Sequence, residues 1–144
     1  MRAVFDTVIF VRALINPQSL CGRLIFDYRR AYALVVSPQL TAEYHEALGR
    51  PEIARKYRTA ATRDLNAVMQ IISLASMVPS VPSVAVSRDP NDDKFLAAAL
   101  AGRADFIVTE DLDLLDIGDH EGCRIVSSAT FMRILNAQDD SDRP

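Results

Sequence analysis

The chain has few of the residues that mark several large classes of protein. Its 144 residues include two cysteines, two histidines and five scattered glycines. Cys21 and Cys123 are too few for a disulfide framework and lack metal-ligand spacing, so we expect two buried thiols in a cytoplasmic protein. No glycine-rich phosphate loop is evident, and neither is a Ser–His–acid arrangement. His45 and His120 are predicted to be surface residues.

Long hydrophobic runs are also absent. The longest uncharged stretch covers residues 65–87 and contains polar residues and two prolines. It predicts a buried helix followed by a proline-marked loop, and it does not resemble a membrane span. No signal peptide is expected, because charged and strand-like residues begin at Arg2.

Net positive charge is missing as well. A formal charge of −3 argues against a generally basic nucleic-acid binder. The charges are unevenly spread: residues 89–121 contain ten acids and two bases, whereas the basic segment, residues 50–63, contains five bases and one acid. An acidic pocket with a separate basic patch suits a metal-dependent enzyme acting on a polyanion. Taken alone, the basic segment is also explained as a solvated helix face.

Short apolar runs alternate with helical patterns along the chain. The predicted strands are residues 2–6, 32–36, 84–86, 105–108 and 124–126. The predicted helices are residues 7–14, 18–30, 38–49, 51–58, 62–77, 89–100 and 129–136. This alternation predicts an α/β fold in which a parallel sheet is covered on both faces. We expect one domain over residues 1–137 and a polar, disordered tail over residues 138–144.

Six carboxylates share one kind of position, because each follows a predicted strand or lies near the start of the helix after it. They are Asp6, Glu43, Asp92, Asp93, Asp111 and Asp113. In a parallel sheet these positions meet at the carboxyl edge, where such folds place their sites. Acids gathered there without obvious cationic partners repel one another, and a hard cation such as Mg²⁺ would relieve the repulsion. Helix capping explains most of these acids singly, but Asp93 is surplus to it and Glu43 lies too far into its helix.

Four segments carry a resemblance to a known family. They are Val4-Phe5-Asp6-Thr7, the segment Ser-Pro-Gln-Leu-Thr-Ala-Glu that ends at Glu43, residues 89–100 (Asp-Pro-Asn-Asp-Asp-Lys-Phe-Leu-Ala-Ala-Ala-Leu) and residues 104–115 (Ala-Asp-Phe-Ile-Val-Thr-Glu-Asp-Leu-Asp-Leu-Leu). Together they resemble the PIN-domain family over residues 2 to about 135. The most similar branch is that of toxin components of bacterial toxin–antitoxin systems, the VapC-like ribonucleases.

The resemblance implies a PIN-like three-layer α/β/α fold with a central parallel sheet and a Mg²⁺- or Mn²⁺-dependent ribonuclease activity. The family's four catalytic and metal-binding acids map, in order, onto Asp6, Glu43, Asp93 and Asp111. Asp113 maps onto an auxiliary metal ligand, and the supporting residues are Thr7, Thr109 and Asp92. Val8 stands where the family usually has Asn, and an apolar side chain cannot make the hydrogen bonds of Asn. We expect metal binding to survive this change, because the four acids are present.

The resemblance also implies partners. An RNA substrate is expected at the basic triad, which we define as Arg55, Lys56 and Arg58. Either the arginines of the basic segment or a second set, Arg23, Arg29 and Arg30, could bind RNA phosphates or acidic residues of a cognate antitoxin. A homodimer is expected, and Leu20, Leu24 and Ile25 could form its seam or belong to the core. No contact with a membrane is expected.

Two other functions are compatible with the sequence. One is a catalytically weak PIN domain that binds RNA or protein, for which Val8 is the support. The other is an aspartyl-phosphate phosphotransferase built on Asp6. The haloacid-dehalogenase pattern would need an Asp at position 8, and a receiver domain would need a Lys after the last strand, where residues 124–130 have none.

Overall fold

The computed structural model describes residues 1–57, 62–79 and 92–141, and its strands and helices alternate as the sequence pattern predicts. The strands are β1 (Arg2–Phe5), β2 (Ala33–Val36), β3 (Ser76–Met77), β4 (Phe106–Val108), β5 (Asp119–His120) and β6 (Cys123–Val126). The helices are α1 (Thr7–Ile15), α2 (Leu20–Phe26), α3 (Pro38–Leu48), α4 (Pro51–Tyr57), α5 (Thr62–Ser73), α6 (Asp93–Ala101), α7 (Leu112–Leu115) and α8 (Ser128–Ser141).

The sheet is open and mostly parallel. Its strand order is β3-β2-β1-β4-β6-β5, and every described pair is parallel except the one between β5 and β6. The centre of the sheet is the pair of β1 and β4, in which Ala3, Val4 and Phe5 lie opposite Phe106, Ile107 and Val108. The residue after β1 and the residue after β4 therefore lie side by side at the carboxyl edge.

Buried aromatic side chains tie the helices to the sheet. The ring of Phe5 at the end of β1 lies 5.9 Å from that of Phe10 in α1 and 6.0 Å from that of Phe131 in α8. Phe10 packs in turn on Tyr44 of α3, with 4.7 Å between ring centroids. Such ring contacts add to the free energy of apolar burial and fix the helices α1, α3 and α8 around the end of β1.

Local signals set the entry into α3. The side chain of Ser37 caps the helix by accepting a hydrogen bond from the backbone N–H of Leu40 at 3.2 Å, and Pro38 occupies the first helical position. Gly49 is the C-cap residue, as its position in the sequence predicts. The helix therefore starts directly after β2, which places its first turns at the carboxyl edge.

The edges of the sheet depart from the expectation. The helix predicted over residues 62–77 ends at Ser73, and Ser76–Met77 instead forms edge strand β3, because these two residues pair with Val35 and Val36 of β2. Strand β5 was not predicted, and it makes the sheet mostly rather than wholly parallel. Both strands have two residues, which is too short for an alternating pattern to show.

Other predicted elements end elsewhere. Helix α2 covers Leu20–Phe26, which is shorter than the predicted residues 18–30. Helix α8 continues to Ser141, past the predicted end at Asn136, because polar residues such as Asp139 can extend an exposed helix without core contacts. The predicted strand 84–86 and the predicted start of a helix at residue 89 lie outside the described residues, and the tail boundary at residue 138 stays a prediction.

Burial bears on the expected homodimer seam and on the two cysteines. Leu24 and Ile25 have no exposed surface and belong to the core, so they are not available for a homodimer seam. Cys21 and Cys123 are free buried thiols, and burial raises the pKa of each, that of Cys123 to about 12.

Among the described helices none is long and apolar enough by itself to cross a membrane. The pair α1 and α2, bent by 100°, reaches that length and composition only when counted together.

Candidate active site

Asp6 occupies the position directly after the central strand β1. Its backbone N–H donates to the carbonyl of Val108 at 2.9 Å, which holds it beside the end of β4. Its carboxylate Oδ2 accepts a hydrogen bond from the hydroxyl of Thr109 at 2.7 Å. Burial raises the pKa of Asp6, and the negative charges of Asp111 and Glu43 raise it further. Hydrogen bonds from the Thr109 hydroxyl and the backbone N–H of Val8 act in the opposite direction and lower this pKa. Three of the predicted acids are therefore close enough to interact electrostatically.

Thr109 connects Asp6 with Asp111. Its side chain is fully buried, and besides donating to Asp6 it accepts a hydrogen bond from the backbone N–H of Asp111 at 3.0 Å. Asp111 in turn caps helix α7, because its Oδ1 accepts a hydrogen bond from the backbone N–H of Asp113 at 3.1 Å. Asp111 thus caps a helix with one carboxylate oxygen, and its negative charge acts on Asp6.

Glu43 reaches the site from α3. The neighbouring Tyr44 is fully buried and donates a hydrogen bond from its hydroxyl to the carbonyl of Phe5 at 2.6 Å, which anchors α3 to the end of β1. The carboxylate of Glu43 accepts hydrogen bonds from the hydroxyl of Thr7 and from the ammonium of Lys94. Burial raises the pKa of Tyr44 well above its usual value, and the charges of Asp6 and Glu43 raise it further.

Lys94 is a residue that the sequence analysis missed. The acids were expected to have no obvious cationic partner, and this expectation is wrong for Glu43, which forms an ion pair with Lys94. The ammonium also lies 5.6 Å from the ring centroid of Phe95. A base next to Asp92 and Asp93 was the available signal, but only the packing of α6 against α3 shows which acid it contacts.

Asp92 and Asp93 lie at the start of α6, where Asp92 is the N-cap residue. Both are buried, with exposed fractions of 8% and 4%. Asp92 and Lys94 line the same cavity as Asp6 and Glu43, whereas Asp93 is not among the described residues that line it. The assignment of Asp93 as the third acid of the site remains a prediction.

The cavity at this edge has a volume of about 360 Å³. Its polar wall contains Asp6, Thr7, Glu43, Arg50, Asp92 and Lys94, and its apolar wall contains Val8, Val11, Ala47, Ile53 and Phe95. The donor set is therefore rich in carboxylate oxygens, which are the ligands that Mg²⁺ and Mn²⁺ prefer. Within the described ranges, however, no group of three or more acids, histidines or cysteines is arranged to hold a metal ion. Both oxygens of Glu43 accept hydrogen bonds, one from Thr7 and one from Lys94.

The predicted RNA-binding residues are described only in part. Arg55 is exposed on α4, and its Nε donates to the carbonyl of Pro51 at 3.3 Å. The side chain of Lys56 and the whole of Arg58 lie outside what the structure describes. Arg29 and Arg30 are exposed and line a different cavity of about 460 Å³, near the start of β2 and thus away from the carboxyl edge.

A mostly parallel sheet with interacting acids at its carboxyl edge defines an α/β protein whose site is acidic. The sequence profile described as the PIN domain matches residues 2–113, and the chain therefore belongs to the PIN-domain family. PIN domains are generally nucleases, and the α/β fold with its helix-flanked sheet is the fold that the resemblance predicted. The uncharacterized protein MJ1680 of Methanocaldococcus jannaschii is 28% identical over 120 residues, which cover 83% of this chain and 76% of that protein. No solved structure matches the chain.

Proposed function

We propose that this protein is a Mg²⁺- or Mn²⁺-dependent endoribonuclease and the toxin component of a toxin–antitoxin pair. The observation that carries the catalytic part is the placement of Asp6 and Asp111 around Thr109, at the ends of two adjacent parallel strands. This hydroxyl orients one acid and accepts a hydrogen bond from the backbone of the other. A pair of acids held in this way is pre-organised, and it loses little freedom when it binds a cation or a phosphate-bound water.

The residues present fit a divalent cation in the chemistry of their donors. Asp6 and Asp111 would hold it, Asp93 and Asp113 are the further ligands that the resemblance implies, and Glu43 would join them if it left Lys94. When bound, such a cation neutralises charge on a phosphodiester and lowers the pKa of a water molecule. The chain itself supplies the orientation, since the hydroxyls of Thr7 and Thr109 hold two of the carboxylates in place.

The raised pKa of Asp6 supports a cation at this site. Burial and two neighbouring negative charges disfavour the ionised carboxylate, and a bound cation reverses that effect. Because the cation would bind the native state only, we expect it to raise thermal stability. Millimolar Mg²⁺ should raise the melting temperature of the full chain relative to EDTA, and equal midpoints would argue against a formed site.

A cleavage assay tests the activity. Purified protein is incubated with single-stranded RNA and Mg²⁺, Mn²⁺ or EDTA, and cleavage is expected with either metal and not with EDTA. The variant Asp93→Asn should lose nearly all activity and remain folded. Asp27→Asn, which changes an exposed acid at the end of α2, is the matched control and should cleave normally. Equal cleavage by both variants would remove Asp93 from the mechanism.

A catalytically weak PIN domain that binds RNA or protein is the second candidate. Val8 favours it, because this side chain lines the cavity where an Asn would offer hydrogen bonds. RNA binding without cleavage in either metal would establish this alternative. The contacts of Lys94 do not support an aspartyl-phosphate enzyme. Lys94 pairs with Glu43, and among the described residues it makes no hydrogen bond with Asp6.

The antitoxin part of the proposal rests on the resemblance and on the mixed walls of the cavity. An extended or helical antitoxin segment could place apolar residues against Val11 and Phe95 and an acidic or basic residue against the polar wall. The gene immediately upstream tests the idea. A small protein encoded there, with a DNA-binding fold and an amphipathic tail, should bind this chain and stop RNA cleavage. A homodimer also stays a proposal, to be tested by the mass of the protein in solution.

A further inference from the structure

The ion pair between Lys94 and Glu43 is the most enclosed of the described salt bridges. Their side chains are 14% and 24% exposed, and the contact joins α6 to α3 across the wall of the cavity. Arg50 lines the same cavity but bonds Glu46 one helical turn away at 3.2 Å, and the side chains of that pair are 50% and 68% exposed. Among the described residues two cations therefore line the cavity, and of these two Lys94 is the one bonded to an acid of the site.

Because the Lys94–Glu43 pair is more enclosed, the electrostatic attraction between its charges is stronger than that in the Arg50–Glu46 pair. An exposed pair is screened by water and contributes little, whereas a partly buried cation interacts strongly with the charges around it. Lys94 also holds an oxygen of Glu43 that a metal would need, since the other oxygen accepts from Thr7. The ammonium therefore opposes a divalent cation in two ways, by repelling it and by occupying one of its ligands.

We propose that Lys94 is the resident counterion of the acidic site and that a divalent cation must compete with it for Glu43. In the metal-free protein the ammonium neutralises part of the carboxylate charge and ties α6 to α3. Binding of the cation to Glu43 displaces the ammonium from that carboxylate. This inference rests on the proposed metal-dependent function and assigns a positioning role to a residue outside the set of acids.

Mn²⁺ binding to the full chain tests the competition without any measurement of cleavage. The variant Lys94→Met keeps the aliphatic stem beside Phe95 and removes the charge. Its matched control, Arg50→Met, removes the same charge from the same cavity without freeing Glu43. Mn²⁺ affinity, measured by water-proton relaxation and calorimetry, should rise roughly tenfold in Lys94→Met and by less than about twofold in Arg50→Met. Equal gains in the two variants, or no gain in Lys94→Met, would overturn the proposal.

The assay separates this inference from the proposed function. If the wild type binds Mn²⁺ and cleaves RNA while Lys94→Met binds Mn²⁺ no more tightly, only the role of Lys94 is wrong. Binding by Lys94→Met together with no binding by the wild type supports the competition, and it shows that Lys94 blocks the site. If neither protein binds Mn²⁺, the competition and the metal-dependent function both fail.

The stability of the metal-free proteins provides a second test, which remains informative even if Lys94→Met folds poorly. In EDTA, Lys94→Met should be less stable than the wild type, because Glu43 is left half-buried beside Asp6 without its counterion. Adding Glu43→Gln to Lys94→Met removes the unpaired charge and should recover most of the lost stability in a double-mutant cycle. Failure of the double variant to recover stability would mean that the two side chains are not energetically coupled.

Discussion

Replacing Thr109 by Val tests the hydrogen bonds that hold the two central acids. The two side chains have nearly the same shape, so the change removes the hydroxyl with little effect on packing. It deletes the 2.7 Å hydrogen bond to the Asp6 carboxylate and the 3.0 Å hydrogen bond from the Asp111 backbone. A hydrogen bond to a charged group contributes about 1.5–3 kcal/mol and a neutral one about 1 kcal/mol. The free energy of unfolding should therefore fall by about 2–4 kcal/mol near neutral pH in EDTA.

This loss should depend on pH in a known direction. The pKa of Asp6 is raised above 3.8 by burial, and the Thr109 hydroxyl opposes that rise, so the substitution raises the native pKa further. For an acid with a raised pKa, stability is present below the unfolded pKa and is lost as pH rises through the native pKa. The variant should therefore be most destabilised at neutral pH and least at an acidic pH below 3.8, where Asp6 carries a proton in both the native and the unfolded state.

Thr41→Val is the matched control, because it makes the same chemical change at a buried hydroxyl without a hydrogen bond to any described residue. It should leave stability within about 1 kcal/mol of the wild type or raise it slightly. Urea unfolding followed by circular dichroism at both pH values measures all three proteins. Equal stabilities of the two variants at neutral pH, or a loss in Thr109→Val that does not shrink on acidification, would refute the reasoning.

Three further predictions concern Asp6, Tyr44 and the basic triad. Asp6→Asn should raise the metal-free melting temperature at neutral pH, since it removes a buried charge, and should reduce the stabilisation by Mg²⁺; a lower midpoint in EDTA would contradict this. Tyr44→Phe should cost about 1–3 kcal/mol in urea unfolding, because the buried carbonyl of Phe5 loses its donor, and a neutral effect would mean that water replaces the hydroxyl. Changing the basic triad to Ala should weaken RNA binding and flatten its salt dependence, whereas the same change at Arg29 and Arg30 should not; identical salt slopes would place the RNA elsewhere.

Local signals predicted much of the fold. Ser37 and Pro38 fixed the start of α3 because a hydroxyl cap and a proline at the first position act within four residues of one another. The central strands were also identified, because short apolar runs bounded by polar residues are typical of buried strands. The two-residue strands β3 and β5 were not, since their pairing with β2 and β6 is a property of the assembled sheet.

The candidate site was predictable to a similar depth. Acids that follow parallel strands must meet at one edge, and Asp6, Glu43 and Asp111 do interact there. The ion pair of Glu43 with Lys94 was not predictable, because 51 residues separate the two and only helix packing brings them together. Fine contacts between distant residues depend on the angle at which α6 crosses α3, and a single sequence does not encode that angle in any local pattern.

The register between β1 and β4 fixes the relative positions of the residues that follow the two strands. Phe5 lies opposite Val108, so the residues that follow them, Asp6 and Thr109, are neighbours by register. Shifting either strand by one residue would turn its core side chains to the other face and would separate Asp6 from its hydroxyl donor. Strand pairing inside the sheet therefore sets the position of Asp6 relative to Thr109. An insertion in a connecting segment would leave this position unchanged. One extra residue within β1 or β4 would disrupt the site even though every acid is still present in the chain.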